Sequence, residues 1–214
     1  MGCFHGCHGA KMEGDVFFEE PFLGRFVAPN LTTAASRYTV PELEAIIRQG
    51  VRPGGSSLLG MPSDGFSVMT DKDLSAILSF ITTYPKQDQE AGTTRVGPLG
   101  RLGLVMGEFW VSAEKIYPEP WKVIELEKRE RFGEYLAINA CSECHGLKLE
   151  GQEGFTPPLA IVNGYSFEDF SRLMATGIGL GNRDLGLMSK AAEYRFSHFS
   201  DEEVQALYAF LHSN

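Results

Sequence analysis

Four cysteines occur in this 214-residue chain, and all of them lie in two short stretches that each end in histidine. One is Cys141-Ser142-Glu143-Cys144-His145. The other is Cys3-Phe4-His5-Gly6-Cys7-His8, with one extra residue between its cysteines. Two thiols at C-x-x-C spacing followed at once by an imidazole form the attachment pattern of a c-type haem. Each thiol forms a thioether with a vinyl group of the porphyrin, and the histidine supplies an axial nitrogen to the iron. A thioredoxin-like C-x-x-C wants a βαβ context and no following histidine. A zinc site needs four nitrogen or sulfur ligands brought together, and the two motifs are 134 residues apart, from Cys7 to Cys141. A disulfide would leave the histidines unexplained. The expectation is therefore two haem c groups and their iron, attached through Cys3, Cys7, Cys141 and Cys144 and ligated by His8 and His145.

The elements that hold these motifs are written twice. Cys7 through Gly14 matches Cys144 through Gly151. Ala28-Pro29-Asn30-Leu31 matches Thr156-Pro157-Pro158-Leu159, and Tyr38 through Val51 matches Tyr165 through Ile178. Phe66 through Ile81 matches Phe196 through Leu211 without a gap. Thr39-x-x-Glu42, Ser166-x-x-Asp169, Thr70-x-x-Asp73 and Ser200-x-x-Glu203 read as helix N-terminal caps. Leu43, Ile46 and Ile47 follow the first at helical spacing. Leu74, Ile77, Leu78 and Ile81 follow the third, and Val204, Leu207, Tyr208 and Leu211 the fourth. Gly50 and Gly177 suit helix stops. Strand signals are scarce, so each repeat reads as a small helical domain around a haem.

The repeat also selects the second axial ligand, which is usually Met or His. Met12, Met69 and Met174 face Leu149, Phe199 and Ile47 in the alignment, and such exchange with plain hydrophobes marks packing positions. Met61 and Met188 face each other, both read as lying in glycine-containing loops between two helices, and are the expected distal ligands. His5, His198 and His212 are weaker rivals: His198 faces Val68, His212 lies near the C-terminus, and His5 sits between two cysteines.

A net charge of −9 disfavours nucleic acid as a partner, because that binding needs basic patches. It suits steering toward basic protein surfaces. No run of about 18 apolar residues is present, so no transmembrane segment is expected. The apolar stretch from Leu102 to Val111 is short and carries Glu108. No signal peptide is visible, yet covalent haem attachment takes place outside the bacterial cytoplasm. A periplasmic or otherwise extracytoplasmic location is expected. The leader would have been removed, or the start would lie downstream of the true one. Membrane association would come through partners or a missing N-terminal segment.

On these residues the chain resembles a class I diheme cytochrome c, two fused monohaem domains. The likeness covers nearly the whole sequence and is strongest from Gly133 onward. It implies an all-α fold, with a first domain over 1–85, a linker over 86–121 and a second domain over 122–214. It implies that Gly133 lets the helix before the second motif approach the C-terminal helix, where Tyr208 is the matching aromatic. It implies that Pro29 and Pro157 supply the carbonyls that orient His8 and His145. Two departures stand out: the extra residue before Cys7, which either bulges out with both thioethers intact or leaves only Cys7 bonded, and the lack of a helix before Cys3. Either the true N-terminus is missing or another segment fills that helix's place, and the stretch from Pro85 to Trp121, with Phe109, Trp110, Tyr117 and Trp121, is a candidate. The expected function is single-electron transfer between a redox-protein donor and acceptor, not catalysis. The chain would act alone or as a subunit of a larger respiratory or photosynthetic complex. The alternative is a diheme oxidoreductase, oxidising thiosulfate or reducing peroxide, with the front haem as its active site.

Overall fold

Helix starts fall where side chains can satisfy the first backbone N–H groups. In the computed structural model, which describes residues 6–108, 111–115 and 131–213, the chain divides into two units, Met1–Val123 and Ile124–Asn214.

The front unit runs β1 (Asp15–Glu20), β2 (Gly24–Ala28), α1 (Leu31–Arg37), α2 (Val40–Gln49), α3 (Ser63–Ser67), α4 (Asp71–Thr83), β3 (Arg95–Val96), α5 (Pro98–Met106) and α6 (Ser112–Lys115). Asn30 caps α1, its side-chain oxygen accepting the N–H groups of Thr32 and Thr33. Thr39 and Glu42 form a capping box on α2, with the Thr39 N–H donating to the Glu42 carboxylate at 2.7 Å. Thr70 Oγ1 accepts the Asp73 N–H at 3.2 Å on α4. Leu43 and Ile47 of α2 and Leu74, Leu78 and Ile81 of α4 are buried, as their spacing predicts. Helix α4 packs against α1 and α2.

The all-α expectation needs correction here. Helix is the main element in both units, but the front unit also holds an antiparallel sheet in the order β1-β2-β3. Its hairpin pairs Asp15 with Ala28 and Glu20 with Gly24, with a bulge between Val16 and Phe18. Val16, Phe17 and Phe18 face Phe26 and Val27 across it, residue types that favour a pleated, half-buried surface. Phe26 is buried, with the Phe17 and Phe18 rings 6.3 and 5.8 Å away. The hairpin stands where the second repeat has only a tight turn, Gln152–Thr156. It is an insertion into the repeat, so the repeat could not announce it.

Where described, residues 86–121 are tied to the front unit. The Asn30 amide donates to the Gln87 and Gln89 carbonyls at 2.9 and 2.8 Å. Strand β3 pairs with β2. Side chains at Gly97 and Gly100 would collide with the Phe22 and Leu23 carbonyls, so only glycine lets α5 sit this close to the hairpin turn. Phe109, Trp110, Tyr117 and Trp121 lie outside the described residues.

The second unit runs α7 (Phe132–Leu136), a π-helical turn (Ala137–Cys141), α8 (Ser142–His145), a 3-10 turn (Leu159–Gly164), α9 (Phe167–Thr176), β4 (Ile178–Gly179), β5 (Arg183–Asp184), α10 (Leu187–Tyr194), a 3-10 turn (Phe196–His198) and α11 (Asp201–Ser213). The Ser166 and Ser200 hydroxyls accept the Asp169 and Glu203 N–H groups at 3.1 and 3.3 Å. Helices α9 and α11 match α2 and α4 residue for residue in the aligned repeat, at both ends. Gly50 and Gly177 end α2 and α9 in the left-handed region, at φ 65° and 74°. Helices α7 and α11 pack together, and a side chain at Gly133 would drive into the Ala206 carbonyl. Tyr208 locks α11 to the 3-10 turn through its hydroxyl, which donates to the Tyr165 carbonyl at 2.9 Å.

Candidate functional site

The second motif is wound into the end of a helix whose last turn is widened. The π-helical turn Ala137–Cys141 delivers the chain into α8, which holds Cys144 and His145. Such wide turns are frequent at functional sites. Cys141 and His145 are buried, and Cys144 is half-buried. Cys141 and Cys144 take part in no disulfide. Burial pushes the Cys141 thiol up to about 12, with Cys144 adding to the rise. The Cys144 thiol is raised by burial first and then by the Glu143 carboxylate, against an opposing pull from Arg195.

His145 is aimed by a backbone acceptor. Its Nδ1–H donates to the Pro157 carbonyl at 2.8 Å, which leaves Nε2 as the ring nitrogen with a lone pair to give. Burial lowers the imidazole from its ordinary 6.5, and the bond to Pro157 works against that shift. The front unit repeats this contact at the same length: His8 Nδ1–H donates to the Pro29 carbonyl at 2.8 Å. His8 is also buried.

The frame around each histidine is the same. Gly14 N–H bonds the His8 carbonyl at 2.9 Å, and Gly151 N–H bonds the His145 carbonyl at 2.9 Å. Leu31 N–H meets the Met12 carbonyl at 2.9 Å, and Leu159 N–H meets that of Leu149 at 2.8 Å. Met12 and Leu149 take left-handed backbone at φ 60° and 59°, an uncommon conformation for either residue type. Gly14 and Gly151 have φ 87° and 79°, and a side chain on either would strike the backbone around Pro29 or Pro157. Sequence reasoning paired these segments. It did not foresee the strained residue within them.

The methionines fall into two groups. Met12 and Met174 are almost fully enclosed, at 1% and 2% exposure, and Met69 is buried. Met61 and Met188 are half-buried. Met188 lies in the first turn of α10 and packs against the core that includes Cys141. Met61 lies in the loop before α3. Its carbonyl accepts the Ser63 N–H at 2.9 Å and the hydroxyl of fully buried Ser112 at 2.7 Å. His198 and His212 are exposed. Cys3 and His5 lie outside the described residues.

The structure thus brings Cys141, Cys144, His145 and Pro157 into one place, and Cys7, His8 and Pro29 into another. Four contributors were not foreseen. Thr156 Oγ1 and Gln152 Nε2 donate to the Cys144 carbonyl at 2.6 and 2.9 Å, fixing the motif's backbone. Glu143 and Arg195 form an ion pair at 2.8 Å. Gln152 and Arg195 carry no local sequence signal, because their partners are reached only through the fold.

The donor set fits a haem. Two thiols outside any disulfide and one imidazole with a lone pair at Nε2 are what a porphyrin iron asks of the protein on its proximal side. Among the described residues no three His, Cys, Asp or Glu side chains converge on a cage for a bare ion. No helix among the described residues is long and apolar enough to cross a membrane.

Comparison with known proteins gives the same direction. Residues 132–214 match the cytochrome c family. The chain is 23% identical over 211 residues to the fructose dehydrogenase cytochrome subunit of Gluconobacter japonicus, covering 87% of this chain and 43% of that protein. It is 22% identical over 250 aligned positions to the cytochrome c subunit of the quinone alcohol dehydrogenase of Gluconacetobacter polyoxogenes, covering 100% of this chain and 53% of that protein. The corresponding subunit of Komagataeibacter europaeus matches equally. The chain spans about half the length of the curated relatives it matches.

Proposed function

With the cytochrome c domain of residues 132–214 as premise, we propose that this chain is a diheme electron carrier. It serves a dehydrogenase as a cytochrome subunit, in an extracytoplasmic compartment and in association with a membrane-bound complex. A haem held in each unit supplies a one-electron iron couple. Cys3 and Cys7 attach the first and Cys141 and Cys144 the second. His8 and His145 would offer Nε2 to the iron, and Met61 and Met188 would offer their sulfur. An iron held by both a histidine and a methionine would leave no place for a small substrate, which favours transfer over catalysis. The domain limits that go with this reading are 1–85 and 122–214, joined by 86–121.

The observation that carries the proposal is the repeated frame. His8–Pro29 and His145–Pro157 have equal bond lengths, and a left-handed residue, Met12 or Leu149, sits four places after each histidine. The carbonyl contact holds each ring in one tautomer and strengthens its donor nitrogen. The Met12 and Leu149 turns bring the two prolines to the rings. The homology to dehydrogenase cytochrome subunits supports a carrier that takes electrons from a dehydrogenase and passes them to a second redox protein.

Intact-mass measurement of the protein purified from a host with a haem-attachment system tests this directly. Two covalently bound haems are expected. A mass carrying one haem rejects the diheme reading, and a mass carrying none rejects the cytochrome reading of both units.

A further inference from the structure

Glu143 lies inside the second motif, between Cys141 and Cys144. Its carboxylate meets Arg195 Nη1 at 2.8 Å, and the two side chains are only 21% and 16% exposed. Arg195 closes the C-terminal end of α10, the helix whose first turn holds Met188. The pair therefore links the cysteine-bearing turn to the helix bearing the proposed distal ligand. Other ion pairs of this unit, Arg131–Glu134 and Arg172–Asp169, join neighbours within one short segment and are more exposed. Both charges also reach the Cys144 sulfur, with opposite sign.

The front unit has neither charge. In the aligned repeat Gly6 stands where Glu143 stands, and Gly65 stands where Arg195 stands. Both halves of the pair are replaced together by residues with no side chain. A carboxylate beside a redox centre favours the oxidised form and a guanidinium favours the reduced form. In a half-buried site such fields are screened less than at the surface.

We propose that Glu143 and Arg195 are a potential-setting pair for the second haem alone: two compensating charges at its attachment edge, which the front unit lacks. This rests on reading residues 141–145 as a haem attachment site. The guanidinium cancels a carboxylate that would otherwise lower the potential, and it holds that carboxylate at a fixed distance from the attachment turn. Glu143 and Arg195 act through the haem's surroundings and are positioning residues, not ligands.

The test is spectroelectrochemical titration of the diheme protein and its variants, with haem content per unit read by mass after proteolysis. Glu143→Gln leaves the cation alone and is expected to raise the potential of the second haem. Arg195→Gln leaves the carboxylate alone and is expected to lower it. The double variant is expected to return near the starting value, and Arg195→Lys to stay close to it. The front haem is expected to keep its potential throughout. Single variants that shift in the same direction, shift both haems alike, or shift neither overturn the proposal, since a purely mechanical strap behaves that way. If Arg195→Gln fails to fold, the sign of the Glu143→Gln shift decides alone. A second unit that carries no haem removes the underlying reading, and this inference with it.

Discussion

His145 stands between two opposing influences, burial against its charged form and the Pro157 carbonyl in favour of it, and burial wins. The folded chain therefore binds fewer protons at this ring than the unfolded chain does. The stability this contributes is complete above about 6.5 and is lost as pH falls through the depressed value; on the proposed ligation, iron at Nε2 would act in the same direction. An acid titration followed by the low-spin haem spectrum should therefore keep His145 ligation at pH 6.5 and lose it only well below. Loss of the low-spin signal near pH 6.5 would contradict the burial argument. Cys141 points to a second outcome. With its thiol at about 12 in place of 9, this site holds roughly a thousandfold less thiolate near neutral pH than an ordinary cysteine. On the proposed thioether attachment, the haem-loaded protein would have no free thiol at this site. Maleimide should label no cysteine of the denatured, haem-loaded protein, and labelled Cys141 or Cys144 would reject thioether attachment. The His8–Pro29 and His145–Pro157 contacts were legible in the sequence as residue types and spacings. The strain at Met12 and Leu149 was not, because neither residue type advertises left-handed backbone.

At the level of elements, the capped helices were the most readable part. Each of the four cap pairs satisfies N–H groups that the helix itself cannot, so a serine or threonine three residues before an acid was sufficient notice. The α7–α11 crossing turns on Gly133, which a resemblance could flag and which the structure explains by the Ala206 carbonyl facing it. Gly133→Val should force the helices apart and cost about 1–3 kcal/mol, measured by denaturant unfolding of the haem-loaded protein. An unchanged midpoint would mean the crossing is not tight. The hairpin and the Ser112 strap were illegible for a different reason: both lie outside the repeat, where alignment of the two halves has nothing to compare. Ser112 is fully buried, and it donates its hydroxyl to Met61 and its N–H to Leu58. Ser112→Ala removes one of two donors to the Met61 carbonyl, which keeps the Ser63 N–H, a cost of about 0.5–1.5 kcal/mol. It should weaken the sulfur–iron signature of the front haem and leave that of the second intact. Equal loss at both haems would refute a local strap.

For the molecule as a whole, the two units share a frame but differ in their surroundings. One is a cytochrome c domain by sequence match; the other is proposed to be its counterpart. A protein with methionine sulfur on both irons should show the far-red band of sulfur-bound ferric haem at twice the intensity of one centre, and should bind little carbon monoxide when reduced. Rapid binding by half the haems would revive the enzymatic alternative, with chemistry at the front iron. The −9 charge suits a basic partner surface, so exchange with such a partner should slow as salt rises.

The hairpin has a consequence for the order in which contacts form. His145 reaches Pro157 across 12 residues, but His8 must reach Pro29 across 21, which adds about 0.5 kcal/mol of ring-closure entropy for a floppy segment. Once Asp15 has zipped to Ala28, the intervening strands drop out of that ring and the remaining path is shorter than the one in the C-terminal half. Zipping before docking is thus the cheaper route for the N-terminal half, while its twin can close directly.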